Sequence, residues 1–242
     1  MNPHGSTVAG IMGKNKYKRF IENETFTLLF QPPFEAVFKN DFHLKGHWRE
    51  AFFKNTHPLV LELGCGRGEY AIALARRYPD KNFIGIDRKG ARLWRGAKTA
   101  TEEPLPNVAF IRTRIDFITS FFAPGEVDEI WITFPDPQPA RPRKRLSGGR
   151  FLARYAQFLK TGGDIHLKTD NRALHEYTKA LALHNGLPLY EAHSDIYGVA
   201  RADDILSIRT HYEELFLRQG IPITYCRFGL GGKTMFEEPS IA

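Results

Sequence analysis

From about residue 58 onward, short apolar runs alternate with longer segments of helical period. The apolar runs that predict buried strands lie at 59–63, 83–86, 108–111, 127–133 and 164–168. Apolar residues recurring every three or four positions predict helices at 70–78, 91–100, 151–159 and 173–184. Strands that alternate with helices through short connections form βαβ units with right-handed crossovers. The sequence therefore predicts an α/β fold with a doubly wound, mostly parallel sheet.

The pattern changes after Pro188. Two apolar runs, 189–192 and 223–228, flank a helical segment at about 208–219, and they are predicted to complete the sheet with an antiparallel edge. Residues 12–57 contain many aromatics without a clear period. We therefore divide the chain into a basic N-terminal arm, 1–57, which we interpret as an appendage, and a main domain, 58–242. Residues 1–11, small and polar ahead of Met12, are interpreted as an upstream extension or a cloning scar.

Composition and charge narrow the class of protein. With 42% hydrophobic and 25% charged residues, the 242-residue chain is unlike disordered, collagen-like or coiled-coil proteins. Lys and Arg number 34 against 27 Asp and Glu, a net charge of +7, which favours a polyanionic partner such as nucleic acid. Cys65 and Cys226 lack the spacing of a disulfide framework or zinc site. No apolar run approaches the roughly 18 to 20 residues that span a bilayer, so we expect a cytoplasmic protein without a metal.

A glycine-rich turn follows the first strand, in the stretch LELGCGRGEY. Gly64, Gly66 and Gly68 allow the backbone to approach a ligand at the start of the next helix. Glu69 stands where the dinucleotide fingerprint requires its third glycine, and Glu62 adds a negative charge beside the turn. Two carboxylates would repel a pyrophosphate but suit a ligand with an ammonium and a sulfonium group. The turn therefore favours S-adenosylmethionine over a nicotinamide dinucleotide.

Two further carboxylates follow the next strands. Asp87 ends the second strand, where it can accept both hydroxyls of a ribose, and Asp116 follows the third strand, where it can accept an adenine amino group. The alternative is structural: a tight turn at the glycines, and helix N-caps at Asp87 and Asp116. Because Glu62, the glycine turn, Asp87 and Asp116 occur together and in this order, they favour a cofactor site over these structural roles.

Asp136 lies in the stretch Phe134–Pro139 that follows the fourth strand. In doubly wound sheets, ligands bind at the carboxyl ends of strands where the strand order reverses, which places Asp136 at the reactive end of the cofactor. Its flanking prolines bias it toward an extended backbone. The alternative interpretation is an ordinary turn aspartate.

Two clusters of basic residues are candidates for RNA binding. Arg141, Arg143, Lys144 and Arg145 follow Asp136 directly and are interpreted as a phosphate clamp, with a solvated surface run as the alternative. Lys14, Lys16, Lys18 and Arg19, interleaved with aromatics, form the second cluster on the N-terminal arm. We expect RNA to order this arm.

The motifs LELGCGRGEY, IGID, FPDP with its basic run, HLKTDN and Thr-His-Tyr-Glu at 210–213 occur in this order. With them the chain resembles the bacterial tRNA (guanine-N7-)-methyltransferases of the TrmB type, over about residues 12–230. The resemblance implies a class I, Rossmann-like fold and methyl transfer from S-adenosylmethionine to guanosine N7 at position 46 of the tRNA variable loop. No obligatory protein partner is evident from the sequence, and we expect a monomer or homodimer.

The resemblance also implies roles for individual residues. Cofactor contacts fall on Glu62, Gly64, Gly66, Asp87, Asp116 and Asp136, and Asp136 is also the implied catalytic residue. Substrate contacts fall on Asp170, Thr210, Tyr212 and Glu213, beside the basic run. Read without the resemblance, Thr210 and Glu213 fit a helix capping box, and Asp170 fits a helix cap.

The chain departs from the family pattern in one place. Where relatives commonly read PDPWPK or PDPWHK, this chain reads PDPQPA, with Gln138 for the aromatic residue and Ala140 for the lysine. Arg141 or Arg143 is expected to supply the missing charge. Two other functions stay open from the sequence: methylation of an exocyclic amine, because FPDP is similar to the [DN]-P-P-[YF] loop, and a non-catalytic RNA-binding subunit.

Overall fold

An eight-stranded sheet forms the centre of the computed structural model, which describes residues 16–202 and 204–239. The strands follow one another across the sheet in the order β1-β4-β3-β2-β5-β6-β8-β7. Their bounds are β1 Leu29–Phe30, β2 Leu59–Leu63, β3 Asn82–Asp87, β4 Val108–Arg112, β5 Val127–Thr133, β6 Leu159–Thr169, β7 Leu189–His193 and β8 Thr224–Gly229.

Five α-helices of seven or more residues follow the strands. They are α1 Glu69–Arg77, α2 Gly90–Glu102, α3 Gly149–Tyr155, α4 Arg172–His184 and α5 His211–Arg218. A further α-helix, 16–23, precedes β1. The shorter helical segments are Phe34–Val37, the π-helical Trp48–Phe53, and the 3₁₀ segments Ile115–Ser120 and Pro142–Lys144. None of the helices in the described part of the chain is long and apolar enough to cross a membrane.

The strand order reverses between β2 and β5. These strands pair in parallel, with Glu62 opposite Trp131 and Leu63 opposite Ile132, while β3 and β4 continue on one side and β6 on the other. This is the predicted doubly wound arrangement, and it opens a crevice beyond the carboxyl ends of β2 and β5.

The predicted antiparallel edge is confirmed. β8 lies between β6 and β7 and runs antiparallel to both. One boundary differs: the helix predicted to reach residue 159 ends at Tyr155, and β6 begins at Leu159 rather than at 164. β6 begins early because Leu159 pairs with Val127 of β5, a contact between distant residues that the local pattern does not indicate.

Part of the 16–57 segment packs into the sheet and the core, so the segment is not a separate appendage. β1 extends the sheet in parallel beside β4. Trp48 is fully buried among phenylalanines, and its Nε1 donates a hydrogen bond to the Phe121 carbonyl at 2.8 Å. These aromatics pack through irregular turns, and therefore the sequence shows no period.

Part of the basic cluster on this segment lies in a helix. Residues 16–23 form that helix and include Lys16, Lys18 and Arg19. Asn23 anchors it by donating to the Gly90 carbonyl at 3.0 Å. Lys14 lies outside the described residues.

Candidate active site

The glycine turn between β2 and α1 has the backbone that glycine favours. Gly64, Gly66 and Gly68 have φ values of +75°, +57° and +71°. A Cβ on Gly68 would lie 2.5 Å from the Phe110 ring, whereas a Cβ on Gly66 would meet no atom within 4 Å. Gly68 is thus required for packing, while Gly66 faces open space where a ligand can approach the backbone.

Glu62 lies buried beneath this turn. One carboxylate oxygen accepts a hydrogen bond from the Ala71 amide at 2.9 Å, and the other accepts from the Thr133 hydroxyl at 2.6 Å. Burial raises the pKa of Glu62 to about 7, although both hydrogen bonds favour its charged form. A cation placed beside this carboxylate would stabilise its charge.

Asp87 joins the end of β3 to the glycine turn. Its carboxylate accepts hydrogen bonds from the Gly66 amide at 3.1 Å and from the Lys89 amide at 2.7 Å. The residue at the N-cap of α2 is Lys89, so the alternative of Asp87 as a helix cap is wrong.

One cleft brings Glu62 and the glycine turn together with the start of α5. It contains about 470 Å³ of empty space, including its open mouth. The sequence-predicted residues that line it are Glu62, Gly64, Gly66, Thr210 and Tyr212. Residues from both ends of the main domain thus form one site.

The loop that carries Asp136 leaves β5 at the rim of this cleft. Phe134, which lines the cleft, has φ of +46°, and Gln138 has φ of +47°, so left-handed residues flank Asp136 on both sides. Asp136 is exposed, and its Oδ1 accepts from the Gln138 amide at 3.1 Å. Its carboxylate therefore lies at the surface, three residues beyond the Thr133 that binds Glu62.

The basic run contains three exposed side chains and one that packs against the protein. Arg141, Arg143 and Lys144 are exposed. Arg145 donates from Nε to the Pro137 carbonyl at 3.2 Å, and its guanidinium lies 4.2 Å from the centroid of the Tyr177 ring. Arg145 thus braces the Asp136 loop.

Asp116 lies in the 3₁₀ segment after β4 and is paired with arginines. Its carboxylate oxygens lie 3.1 Å from Arg150 Nη2 and 3.3 Å from Arg114 Nη2. The N-cap of this segment is Arg114, so Asp116 is not a helix cap either.

The C-terminal candidates have different roles. Thr210 is the N-cap of α5 and accepts from the Glu213 amide at 3.2 Å, which is the Thr210 half of the predicted capping box. The Glu213 carboxylate is fully buried, with Lys168 Nζ and the Tyr197 hydroxyl each at 2.8 Å. It therefore points into the protein and away from the cleft.

Asp170 follows the end of β6 and is half-buried, which raises its pKa. The cap of α4 is its neighbour Asn171, which accepts from the Leu174 amide at 2.8 Å. The capping alternative for Asp170 is therefore wrong.

Comparison with known proteins places the chain in a family. Residues 56–226 match the family model described as "Putative methyltransferase". The tRNA (guanine-N(7)-)-methyltransferase of Porphyromonas gingivalis is 53% identical, covering 90% of this chain and 91% of its relative. The protein of the same name from Christiangramia forsetii is 56% identical, covering 89% and 97%. The chain belongs to the tRNA (guanine-N(7)-)-methyltransferase family. The resemblance drawn from the motifs is thus confirmed.

Solved structures support the fold. The crystal structure of the 16S rRNA methyltransferase KamB superposes with a TM-score of 0.57 at 15% identity, covering 78% of this chain and 92% of that one. An antibiotic-related methyltransferase superposes with a TM-score of 0.55 at 19% identity, covering 73% and 89%. At these identities the likeness concerns the fold alone, and it confirms the class I methyltransferase architecture.

S-adenosylmethionine, the methyl donor of this family, fits the residues present. Gly66 leaves its side of the turn open, and the Glu62 carboxylate is the buried group that an ammonium would stabilise. Asp87 presents a carboxylate at the end of the adjacent strand. These residues would hold the amino-acid and ribose portions of the donor.

Four residues that line the cleft were not predicted from the sequence: Cys65, Arg67, Arg92 and Thr133. Glu69, one of the two carboxylates noted at the glycine turn, and His211, within the 210–213 motif, line it as well. Glu69 accepts from the His211 amide at 2.8 Å, so it ties α1 to the start of α5. The buried pair of Lys168 and Glu213 was also not predicted. One signal for it was present in the sequence: a charged Lys168 inside an apolar strand predicts a buried partner of opposite charge.

Proposed function

We propose that this protein transfers the methyl group of S-adenosylmethionine to N7 of a guanosine in tRNA, at position 46 of the variable loop. Membership of the tRNA (guanine-N(7)-)-methyltransferase family supports this methyl transfer. The observation that carries it is the single cleft in which Glu62, the glycine turn and the 210–212 segment meet beside the Asp136 loop. We place the reaction in the cytoplasm, catalysed by a monomer or homodimer.

The carboxylates divide the recognition of the donor. Glu62 binds its ammonium group and Asp87 its ribose hydroxyls. Asp116 accepts the adenine amino group through lone pairs that Arg114 and Arg150 do not use. The exposed Arg141, Arg143 and Lys144 contact phosphates of the tRNA, where they replace the charge lost at Ala140.

When bound, S-adenosylmethionine supplies an electrophilic methyl group on a sulfonium. Guanine N7 carries an in-plane lone pair and no proton, so the chain needs no general base to create the nucleophile. Attack of N7 on this methyl group would break the methyl–sulfur bond, leave its electron pair on sulfur and transfer the positive charge to the guanine ring. The protein contributes alignment, which supplies up to about 7–11 kcal/mol in the best intramolecular cases.

Asp136 stabilises the charge that develops on the base. As the guanine ring becomes cationic, its N1 and N2 protons become more acidic and bind a carboxylate more strongly. Asp136 accepts these protons in hydrogen bonds that are stronger in the transition state than in the ground state, which is what accelerates the chemical step. Asp170 lies one strand further along and assists at the same edge. Thr210 and Tyr212 form the opposite wall, and Glu213 holds that wall through Lys168.

The test is Asp136→Ala in the full-length enzyme. We expect kcat for tRNA methylation to fall by about 10²–10³-fold, while the affinity for tRNA stays near wild type. Asp80→Ala, at an exposed turn before β3, is the matched control. Near-normal turnover by Asp136→Ala would reject Asp136 as the catalytic residue.

Mapping the methylated atom separates the candidate functions. Unmodified tRNA is incubated with the wild-type protein and labelled S-adenosylmethionine, and the modified nucleoside is identified. Label on guanosine N7 supports the proposal, and label on an exocyclic amine contradicts it. Failure to bind S-adenosylmethionine at all would instead favour the non-catalytic RNA-binding subunit.

A further inference from the structure

Three aromatic rings lie together on the surface near the start of the chain. Phe34 and Phe38 are 51% and 44% exposed, and their rings stack with centroids 4.8 Å apart. The half-buried Phe117 packs edge-on against both, at 5.4 Å from Phe34 and 6.3 Å from Phe38. Large apolar rings exposed as a cluster mark an interaction site more often than isolated ones do.

Cations border these rings. Lys39 Nζ lies 5.5 Å from the centroid of Phe38, and the Arg114 guanidinium lies 5.7 Å from the centroid of Phe117. Arg114 and Arg150 share the carboxylate of Asp116, and Arg154 donates to the Asp116 carbonyl at 3.3 Å. Two arginines thus share one carboxylate and a third binds the backbone carbonyl of the same residue, which leaves a net positive charge beside the aromatic rings.

The rings and the arginines lie at the same edge of the sheet as the cleft. Phe34 follows β1, Arg114 follows β4, and α3 with Arg150 comes after the β5 loop and its basic run. Strands β1, β4, β2 and β5 are parallel, so all of these segments leave the sheet at its carboxyl edge. A polyanion that enters the cleft therefore has this surface within reach.

We propose that Phe34, Phe38 and Phe117, with Arg114, Arg150 and Arg154, form a second contact surface for the tRNA substrate. The inference rests on the proposed function and adds a site outside its cleft. Exposed aromatic rings stack on unpaired bases, and flanking arginines hold the adjoining phosphates. The occupant is an unpaired, loop segment of the tRNA, because a continuous duplex hides the base faces that the rings need.

The test measures tRNA affinity of the double variant Phe34→Ala/Phe38→Ala. We expect its Kd for unmodified tRNA to rise about 5- to 100-fold, from the loss of one or two stacked bases, while its affinity for S-adenosylmethionine is unchanged. Phe34→Tyr/Phe38→Tyr keeps two stacking rings and should bind nearly as wild type. Arg114→Gln/Arg150→Gln should weaken binding and reduce its salt dependence by a slope of about 0.7–0.9 per lost phosphate contact.

Tyr190→Ala is the matched control, since Tyr190 is 49% exposed and lies beside a cation, Arg227. It lies on β7, the last strand of the sheet, which is farthest from β1. A single-stranded competitor should displace tRNA from wild type more effectively than a duplex of the same sequence. Wild-type tRNA affinity in the phenylalanine double variant would overturn the proposal. So would loss of self-association in place of tRNA binding, measured by sedimentation, because it would assign the rings to a protein contact.

The two proposals fail separately. Binding is measured without methyl transfer, so a wild-type protein that binds tRNA through these rings but methylates no guanosine would contradict the proposed function alone. An enzyme that methylates N7 normally while the rings prove irrelevant to binding would contradict only the second contact surface.

Discussion

At the scale of single residues, Glu62 shows how burial determines a chemical property. The carboxyl lies at the end of an apolar strand and receives hydrogen bonds from Ala71 and Thr133. Desolvation outweighs both bonds, so its pKa rises from the ordinary 4.5 to about 7. A ligand that must pair with its charged form will therefore bind in a pH-dependent way.

We expect the affinity for S-adenosylmethionine to fall about tenfold between pH 8 and pH 6, because binding of an ammonium requires the ionised Glu62. Isothermal titration across this range measures it. Glu62→Gln should bind more weakly and lose most of the pH dependence, whereas Asp87→Asn should bind more weakly and keep it. A flat wild-type profile would show that Glu62 does not meet a cation.

The raised pKa of Glu62 also makes the folded protein less stable as the pH rises. Because the folded-state pKa of Glu62 lies above the unfolded value, its stabilising contribution is complete below about pH 4.5 and is lost as the pH rises through about 7. The free energy of unfolding of Glu62→Gln should therefore improve relative to wild type between pH 5 and pH 8.

At the scale of elements, the glycine turn separates a packing role from a binding role. Gly66→Ala should cost about 1–2 kcal/mol for its left-handed backbone and sharply weaken S-adenosylmethionine binding. Gly68→Ala should cost more, because its Cβ would also collide with Phe110. Chemical denaturation and ligand titration measure both effects. Equal stability losses in the two variants would contradict this division.

The buried pair of Lys168 and Glu213 is the second element-scale feature. Lys168 Nζ also donates to the carbonyls of Leu206 at 2.8 Å and Ile208 at 2.9 Å, so one ammonium ties β6 to the segment that leads into α5. That segment leads to Thr210 and Tyr212, at the start of α5, which line the far wall of the cleft. The pair therefore holds this wall in place from inside the protein.

Lys168→Met should lower the free energy of unfolding by about 3–5 kcal/mol, because it leaves the Glu213 charge buried and unpaired. It should also raise KM for S-adenosylmethionine more than it lowers kcat. Lys168→Met/Glu213→Leu should regain most of the stability, since both charges are removed, but keep the raised KM. A wild-type KM in the double variant would show that the pair serves stability alone.

At the scale of the whole molecule, the aromatic N-terminal segment completes the core. Trp48 packs beside Phe30, Phe42 and Phe122, with ring centroids 5.2 to 5.9 Å away. Trp48→Ala should lower the free energy of unfolding by about 3–5 kcal/mol. Trp94→Ala, at a half-buried position on α2, is the milder control. Chemical denaturation distinguishes them, and equal losses would contradict a core role for this segment.

The five parallel strands of the main domain and the glycine turn could be predicted because their signals are local. An apolar run of five residues or a G-x-G-x-G spacing depends only on its neighbours. The N-terminal segment could not, because β1 contributes two residues to the sheet and Trp48 finds its partners far along the chain. The predicted start of β6 was wrong for the same reason, since Leu159 becomes a strand residue only by pairing with Val127.

The sequence by itself determined the doubly wound fold, the family and the set of carboxylates for a cationic methyl donor, because periodicity and motif spacing record them along the chain. Only the tertiary structure decided which of those side chains meet. Thr133 reaches Glu62 because β5 pairs with β2, and Glu213 turns inward because β6 places Lys168 beneath α5. Such contacts depend on the order of strands in the sheet, which brings together residues that lie dozens of positions apart.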